Sequence, residues 1–272
     1  MFDVELYKKM SQFQKLASKN GVNAYSEFIR WSKNGKILDV GCGEGSTTVD
    51  LLYPLIMANS SNSKLIAMDL EEDMISAANA SYGHMNIDFI QMDITNINEN
   101  NNKYKNYFDN VFSFICLHLV SDLIWIKNIY DLMKRDGQTF FIIPANNPVF
   151  TAVMELRHEG NYIEYVKKVE HVFNTPFAQL NNPEDWIKPL MEKEGFKNVK
   201  CFKFPQDFTF ESFDYLKRFI ATFQFLIKEI PTDEQDDFIE QVANRIIRIS
   251  TFDETTQEIH ASCFILAIIA DK

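Results

Sequence analysis

A short apolar strand that runs directly into closely spaced glycines is the feature that most constrains this fold. Residues Lys36–Val40 form the predicted strand, the loop Gly41–Gly45 reads GCGEG, and a helical pattern follows over residues 46–57. Glycines after a buried strand let the backbone approach a ligand without a clash from a Cβ atom. The sequence therefore predicts an α/β protein that binds a nucleotide-like ligand at the end of this strand.

Alternating strands and helices continue on the carboxyl side of the glycine loop. The apolar pattern predicts strands over residues 64–69, 87–91, 108–114 and 138–143, with helices over 72–82 and 123–135. This alternation predicts a doubly wound, mostly parallel sheet, because each crossover helix packs back onto the sheet. The predicted fold class is therefore α/β and Rossmann-like.

Helical periodicity flanks this core on both sides. Residues 5–31 predict two amino-terminal helices with a break at Gly21. Beyond Pro144, the pattern predicts helices over residues 150–172, 184–194, 210–230 and 233–249, and strands over 199–204 and 261–270. We expect the last two strands to complete a seven-stranded sheet while the helices between them form a cap. Residues 1–272 then make one domain, divided into amino-terminal helices (1–32), a cofactor-binding core (33–145), and the cap with the last strands (146–272).

The composition argues against several classes of partner. A formal net charge of -11 and a pI near 5.0 disfavour a nucleic acid, whose phosphates are bound mainly by Lys and Arg. The four cysteines form no CxxC pair, so no metal is expected, and reduced thiols fit the cytoplasm. The apolar stretch 263–270 is too short to cross a membrane, which predicts a soluble protein without membrane contact. The 24 Phe residues suit a small lipophilic substrate.

Acidic residues follow the next two predicted strands. Asp69 ends the second strand, 24 residues beyond Gly45, where its carboxylate can accept hydrogen bonds from ribose hydroxyls. Asp93 follows the third strand, although on spacing alone it is equally well explained as a cap. A dinucleotide fingerprint needs its third glycine three positions after the second, yet position 46 is Ser. The pattern indicates an adenosine-containing cofactor and argues against a nicotinamide dehydrogenase.

The sequence DVGCGEG at residues 39–45, together with Asp69 and Asp93, resembles the motifs of class I methyltransferases. These enzymes use S-adenosylmethionine and release S-adenosylhomocysteine. The resemblance implies that the loop contacts the amino acid part of the cofactor, that Asp69 binds ribose and that Asp93 and Ile94 contact adenine. The full cofactor set that it implies is Asp39, Gly41, Cys42, Gly43, Asp69, Leu70, Asp93, Ile94 and Phe114.

Two features of the region after the fourth strand bear on the type of methylation. Enzymes that methylate amino groups of nucleic acids commonly carry an Asn/Asp-Pro-Pro-aromatic motif there, whereas residues 113–117 read SFICL. The absence of that motif favours O-methylation. His118 can in addition serve as a general base for a hydroxyl acceptor, although it is equally well explained as a packed histidine.

A narrower resemblance, to insect juvenile hormone acid methyltransferases, extends along most of the chain. Its segments are ELYKKMSQFQK, ILDVGCGEGSTTVDLL, FSFICLHLV and KNIYDLMKRDG. In that family a Gln of the amino-terminal helix and a Trp after the fourth strand hold the substrate carboxylate. The matching positions are Gln14 and Leu119. Because leucine has no N–H donor to replace the indole, this departure weakens the expected grip on a carboxylate.

Two acceptors fit these residues. The sequence slightly favours a phenolic hydroxyl, because Leu119 lacks a donor and a Phe-rich cap suits a planar ring. Gln14 and His118 are then the predicted catalytic residues, and the predicted substrate site is Gln14, His118, Leu119, Phe219 and Phe223. The alternative is carboxyl methylation of juvenile hormone acid or a farnesoic-acid-like isoprenoid acid. A non-catalytic protein that binds a hydrophobic ligand is an alternative of another class.

Overall fold

The central element of the fold is an eight-stranded mixed sheet. The computed structural model describes residues 3–97, 103–145, 147–173 and 182–272, with the backbone alone for residues 161 and 171–173. Its strands are β1 (Lys36–Val40), β2 (Lys64–Asp69), β3 (Ile87–Gln91), β4 (Phe108–Phe114), β5 (Met133–Pro144), β6 (Lys197–Phe210), β7 (Thr251–Phe252) and β8 (Ile259–Asp271).

The strand order confirms the predicted Rossmann-like, doubly wound architecture. Neighbouring strands follow the order β3-β2-β1-β4-β5-β8-β6, and β7 pairs with β8 outside this path. The pairs among β1 to β5 are parallel, whereas β8 runs antiparallel to both β5 and β6. The two-residue strand β7 was not predicted, because a segment this short carries no alternating pattern.

The central strands bury consecutive apolar residues because helices cover both faces of the sheet. In β1, Ile37 and Leu38 point to opposite faces and are both fully buried. In β5, Phe140 and Phe141 do the same. Burial on both faces therefore explains why apolar residues stand next to each other in these strands instead of alternating with polar ones.

The helices lie on both faces of the sheet and over its carboxyl edge. They are α1 (Val4–Met10), α2 (Gln12–Tyr25), α3 (Tyr53–Asn59, preceded by a π-helical turn Thr48–Leu52), α4 (Glu72–Tyr82), α5 (Ile124–Leu132), α6 (Pro148–Leu156), α7 (Ile163–Phe173), α8 (Glu184–Lys193), α9 (Phe213–Ala221), α10 (Gln224–Ile227) and α11 (Gln235–Arg248). The cap core joins α6, α9 and α11 through fully buried side chains, among them Val153, Leu216 and Phe238.

The cap differs from the sequence prediction in several places. The helical stretch predicted over residues 150–172 is divided into α6 and α7. Strand β6 extends to Phe210, and the single helix predicted over residues 210–230 is instead the pair α9 and α10. Ser212 caps α9, because its Oγ accepts a hydrogen bond from the Tyr215 N–H at 3.1 Å. Thr222 ends that helix, and its hydroxyl donates back to the Phe219 carbonyl at 2.6 Å. Such local side-chain bonds compete with helix continuation.

The predicted helix break at Gly21 was wrong, because the break lies at Ser11 and Gly21 is inside α2. Gly21 is buried where α2 packs on β5. A Cβ atom at this position would overlap the Ile142 side chain and would lie 3.4 Å from the ring of Phe204. The glycine therefore permits close packing of helix and sheet.

We expect Gly21→Val to lower the free energy of unfolding by about 1–3 kcal/mol, because its branched side chain overpacks the contact with Ile142. Chemical denaturation measures this change. The matched control is Ala24→Val on the exposed face of the same helix. Equal losses in the two variants would show that Gly21 has no packing role.

Candidate functional site

The glycine loop after β1 is held against the end of β2 by backbone hydrogen bonds. The N–H groups of Gly41 and Cys42 both donate to the Met68 carbonyl, at 2.8 and 2.9 Å. Gly41 and Gly43 have φ values of 77° and 56°, which a side chain rarely adopts. A Cβ on Gly41 would also overlap the Cys116 side chain. At its glycines the loop therefore presents backbone atoms, without side chains, at the carboxyl edge of the sheet.

Asp69 connects this loop to the turn that follows β2. Its Oδ2 accepts a hydrogen bond from the Gly43 N–H at 2.8 Å, and its Oδ1 accepts one from the Glu71 N–H at 3.0 Å. Burial raises the pKa of the Asp69 carboxyl, although these backbone bonds oppose the increase. The carboxylate is thus oriented by the backbone at the edge of the cleft.

The cleft is a cavity of about 540 Å³, a size typical of small-molecule sites. It gathers these predicted residues: Gly41, Gly43, Asp69, Leu70, Asp93, Ile94 and Leu119. Leu70 is 57% exposed although it is large and apolar, whereas Ile94 is buried. Asp93 is oriented by Thr95, whose N–H and hydroxyl both donate to Oδ1 at 2.8 Å. The cleft therefore combines apolar surface, which suits an adenine ring, with oriented carboxylates, which suit ribose hydroxyls.

A second, smaller cavity lies on the other side of the glycine loop. It brings together four further predicted residues: Gln14, Asp39, Cys42 and Phe114. Gly41 and Tyr7 line both this inner cavity and the cleft. No described residue hydrogen-bonds the buried Oε1 of Gln14. An unsatisfied buried polar atom at a cavity is free to bind a ligand.

Asp39 is a buried carboxyl beneath the loop. Its Oδ2 accepts a hydrogen bond from the Thr48 hydroxyl at 2.6 Å. Burial raises the pKa of Asp39 from 3.8 to about 7, the hydrogen bond from Thr48 opposes this increase, and the charge of Asp69 adds to it. Asp39 therefore gains its negative charge near neutral pH.

His118, Phe219 and Phe223 lie outside the described linings of the cleft and the inner cavity. His118 is 4% exposed and packs 5.8 Å from the Phe150 ring, measured between ring centroids. Burial lowers the pKa of His118 to about 3, so the imidazole is neutral at physiological pH. Phe219 lines a separate apolar cavity with Phe13. Phe223 packs edge-on against Phe219, with centroids 5.6 Å apart.

Several residues of the site were missed by the sequence prediction. They are Tyr7, Glu44, Cys116, Gln224, Phe225 and Lys228. Tyr7 lies in α1 and Gln14 in α2, so the break at Ser11 separates them and no helical spacing in the sequence marks Tyr7. The last three lie on or beside α10 and reach the cleft only through the packing of the cap, so no local pattern marks them.

Two features are absent from residues 3–97, 103–145, 147–173 and 182–272. No helix there has the length and apolarity needed to cross a membrane. No group of three or more His, Cys, Asp or Glu side chains there is arranged to hold a metal ion.

We expect Asp39 to make the unliganded protein less stable as the pH rises from about 4 to about 7. Its folded-state pKa lies above its unfolded value, so the folded state binds the proton more tightly and loses this advantage on ionisation. Asp39→Asn keeps an acceptor for Thr48 but cannot ionise. The variant should therefore lose less stability than the parent across this range.

Chemical denaturation at several pH values measures the difference between the two proteins. His118 acts in the opposite sense, because its lowered pKa makes stability fall as the pH falls below 6.5. This contribution is common to both proteins and cancels in the comparison. Parallel pH profiles would contradict the raised pKa of Asp39.

Sequence comparisons relate the chain to methyltransferases. The profile of the family described as "Methyltransferase domain" matches residues 37–137, which hold the glycine loop, Asp69 and Asp93. The juvenile hormone acid O-methyltransferase of Bombyx mori is 27% identical over 264 residues, covering 96% of this chain and 92% of the relative. That of Drosophila melanogaster is 24% identical over 254 residues, covering 92% and 84%.

Comparison of structures agrees on the fold. The YcgJ protein of Bacillus subtilis superimposes with a TM-score of 0.58 at 15% identity, covering 93% of this chain and 98% of the other. The profile match covers the strands and loop that form the cleft, and the relatives match nearly the whole chain. The chain is therefore an S-adenosylmethionine-dependent methyltransferase that resembles the juvenile hormone acid O-methyltransferases.

Proposed function

We propose that the protein methylates the carboxylate of a small lipophilic isoprenoid acid, of the juvenile hormone acid or farnesoic acid type. Both curated relatives carry a name that specifies this acceptor, and each is matched along most of its length. The structural observation that carries the proposal is Gln14, a half-buried residue at the inner cavity whose carboxamide oxygen is buried and unsatisfied.

The Gln14 carboxamide suits a carboxylate because it offers a neutral N–H donor at the wall of the inner cavity. The oxygen and nitrogen of an amide exchange places by a half-turn of the terminal torsion, so either atom can face the ligand. With its N–H group toward the cavity, Gln14 donates to a carboxylate oxygen. A directional donor at this wall fixes the position of the acceptor and also contributes to its affinity.

The residues of the cleft fit the methyl donor. We assign Asp69 to the ribose hydroxyls, Leu70, Asp93 and Ile94 to the adenine, and the Gly41–Gly43 backbone to the amino acid part. Bound S-adenosylmethionine supplies the methyl group: the acceptor oxygen bonds to the methyl carbon as the carbon–sulfur bond breaks, and the electron pair stays on sulfur. The chain itself then binds both partners, aligns them and excludes water.

A carboxylate acceptor needs no general base, because it is already ionised at neutral pH. This agrees with the burial of His118, whose lowered pKa makes it a weak base. A phenol, the acceptor that the sequence slightly favoured, would need one. The comparisons lend no support to the phenol, and Leu119 in the cleft wall is the one observation in its favour.

The acceptor class is tested by incubating the purified protein and S-adenosylmethionine with farnesoic acid, a juvenile hormone acid and a simple para-substituted phenol. We expect methyl esters of the acids and little methyl ether. Mass spectrometry of the products separates the two. Efficient formation of the ether without the ester would overturn the proposal and establish the phenol.

The matching variant is Gln14→Leu, which keeps the volume of the side chain and removes its hydrogen bonds. We expect KM for the acid to rise about tenfold to a hundredfold, since a hydrogen bond to a charged group contributes roughly 1.5–3 kcal/mol. The exposed neighbour Gln12→Leu is the control. An unchanged KM in Gln14→Leu would remove this residue from the acceptor site.

A further prediction concerns the assignment of Asp69 to the ribose. We expect Asp69→Ala to weaken the binding of S-adenosylmethionine about tenfold to a hundredfold, because ribose and the Gly43 N–H both lose a charged acceptor. Asp69→Asn, which keeps one oxygen, should lose less. Calorimetry measures both, with the exposed Asp88→Ala on β3 as control. Unaltered affinity in Asp69→Ala would exclude the assignment.

A further inference from the structure

Tyr7 lies at the site but was not assigned to any part of the cofactor above. Its helix α1 begins at an Asp3 cap, whose carboxylate accepts a hydrogen bond from the Leu6 N–H at 2.9 Å. Among the described residues, Tyr7 and Gly41 alone line both the cleft and the inner cavity. Because Gly41 has no side chain, the ring of Tyr7 is the side-chain wall between the two cavities.

The ring meets the glycine loop with its edge. A Cβ placed on Gly43 would lie 3.7 Å from Cε1 of Tyr7 and 3.9 Å from its hydroxyl oxygen, with no other atom of the ring within 4 Å. Contact through one ring carbon and the hydroxyl is an approach in the plane of the ring. The faces of the ring are therefore turned away from the loop, and Tyr7 lines both cavities beside it.

The charges around Tyr7 favour a cation beside it. Burial raises the pKa of the Tyr7 hydroxyl, and the negative charges of Asp69 and Glu44 raise it further. The phenol thus stays protonated and the ring neutral. The same carboxylates create a negative potential at the ring, which attracts a positive charge as strongly as it disfavours a phenolate.

The sulfur of S-adenosylmethionine links its ribose to its amino acid part. Asp69 and the Gly41–Gly43 loop, to which we assigned these two parts, meet at Gly43, whose N–H donates to the Asp69 carboxylate. We propose that a face of the Tyr7 ring contacts the sulfonium centre and makes the site prefer the cationic methyl donor over neutral S-adenosylhomocysteine. Cations bind favourably over aromatic faces, and the effect grows when water is excluded.

This preference concerns the methyl donor and is independent of which acceptor is used. Tyr7 stabilises the positive charge that disappears when the methyl group leaves. The cation–π attraction is therefore present with the donor and lost with the product, which promotes release of S-adenosylhomocysteine after each turnover.

The test is calorimetric titration of S-adenosylmethionine and S-adenosylhomocysteine into the parent protein, Tyr7→Phe and Tyr7→Leu. We expect Tyr7→Leu to reduce the preference for the cationic ligand, the ratio of the two Kd values, about threefold to thirtyfold. Tyr7→Phe keeps the aromatic face and should keep the ratio within about twofold. The ratio cancels any general loosening of the site that affects both ligands alike.

The matched control is Tyr25→Leu in α2, where the ring stacks on Phe202 with centroids 4.6 Å apart, away from both cavities. Its ratio should equal that of the parent, and thermal unfolding verifies that each variant is folded. An unchanged ratio in Tyr7→Leu would overturn the proposal. So would an equal loss in Tyr7→Phe, because the ring face would then not be the interacting group.

Discussion

The attachment of the glycine loop to the end of β2 is the constraint on which the site depends. Two N–H groups, from Gly41 and Cys42, converge on one carbonyl of Met68, and a third N–H, from Gly43, reaches the Asp69 carboxylate. This arrangement requires backbone angles that glycine adopts without strain. It also brings β4 into the site, because the Cys116 side chain fills the space beside Gly41. The ends of three strands are thus fixed relative to one another before any ligand binds.

The electrostatic character of the cleft follows from this geometry. Of the described residues that line it, four are acidic and Lys228 alone is basic; the acidic ones are Asp69, Glu71, Asp93 and Asp122. Beneath the loop, Asp39 is buried near Asp69, and the nearby charge of Asp69 helps to raise its pKa. Carboxylates held this close destabilise one another in the absence of a counter-charge. A ligand with a net positive charge relieves that repulsion, which is the property that a sulfonium donor has.

The sequence predicted those parts of the site that depend on local structure. The glycine loop, Asp69 and the alternation of strands and helices could be predicted because strand periodicity and glycine spacing act over a few residues. The break between α9 and α10 could not be predicted in this way, because it depends on the hydrogen bond from the Thr222 hydroxyl back to its own helix. As a result Phe225, rather than the predicted Phe223, reaches the cleft. The helix break predicted at Gly21 was wrong for a related reason, because this glycine contacts a strand that is far away in the sequence.

For the proposed carboxylate acceptor, the acidic cleft imposes an order on the reaction. The acidic residues of the empty site would repel the carboxylate of the substrate. Gln14 is neutral and cannot offset this repulsion, and the charge of Lys228 at the rim is screened by solvent because that residue is exposed. The positive charge of the methyl donor removes this obstacle, so the donor should bind before the acid. Methyl transfer then turns the carboxylate into a neutral ester and the sulfonium into a neutral thioether. The attraction that assembled the two substrates disappears in the products, and the carboxylates of the chain again favour a cationic ligand over the neutral one that remains.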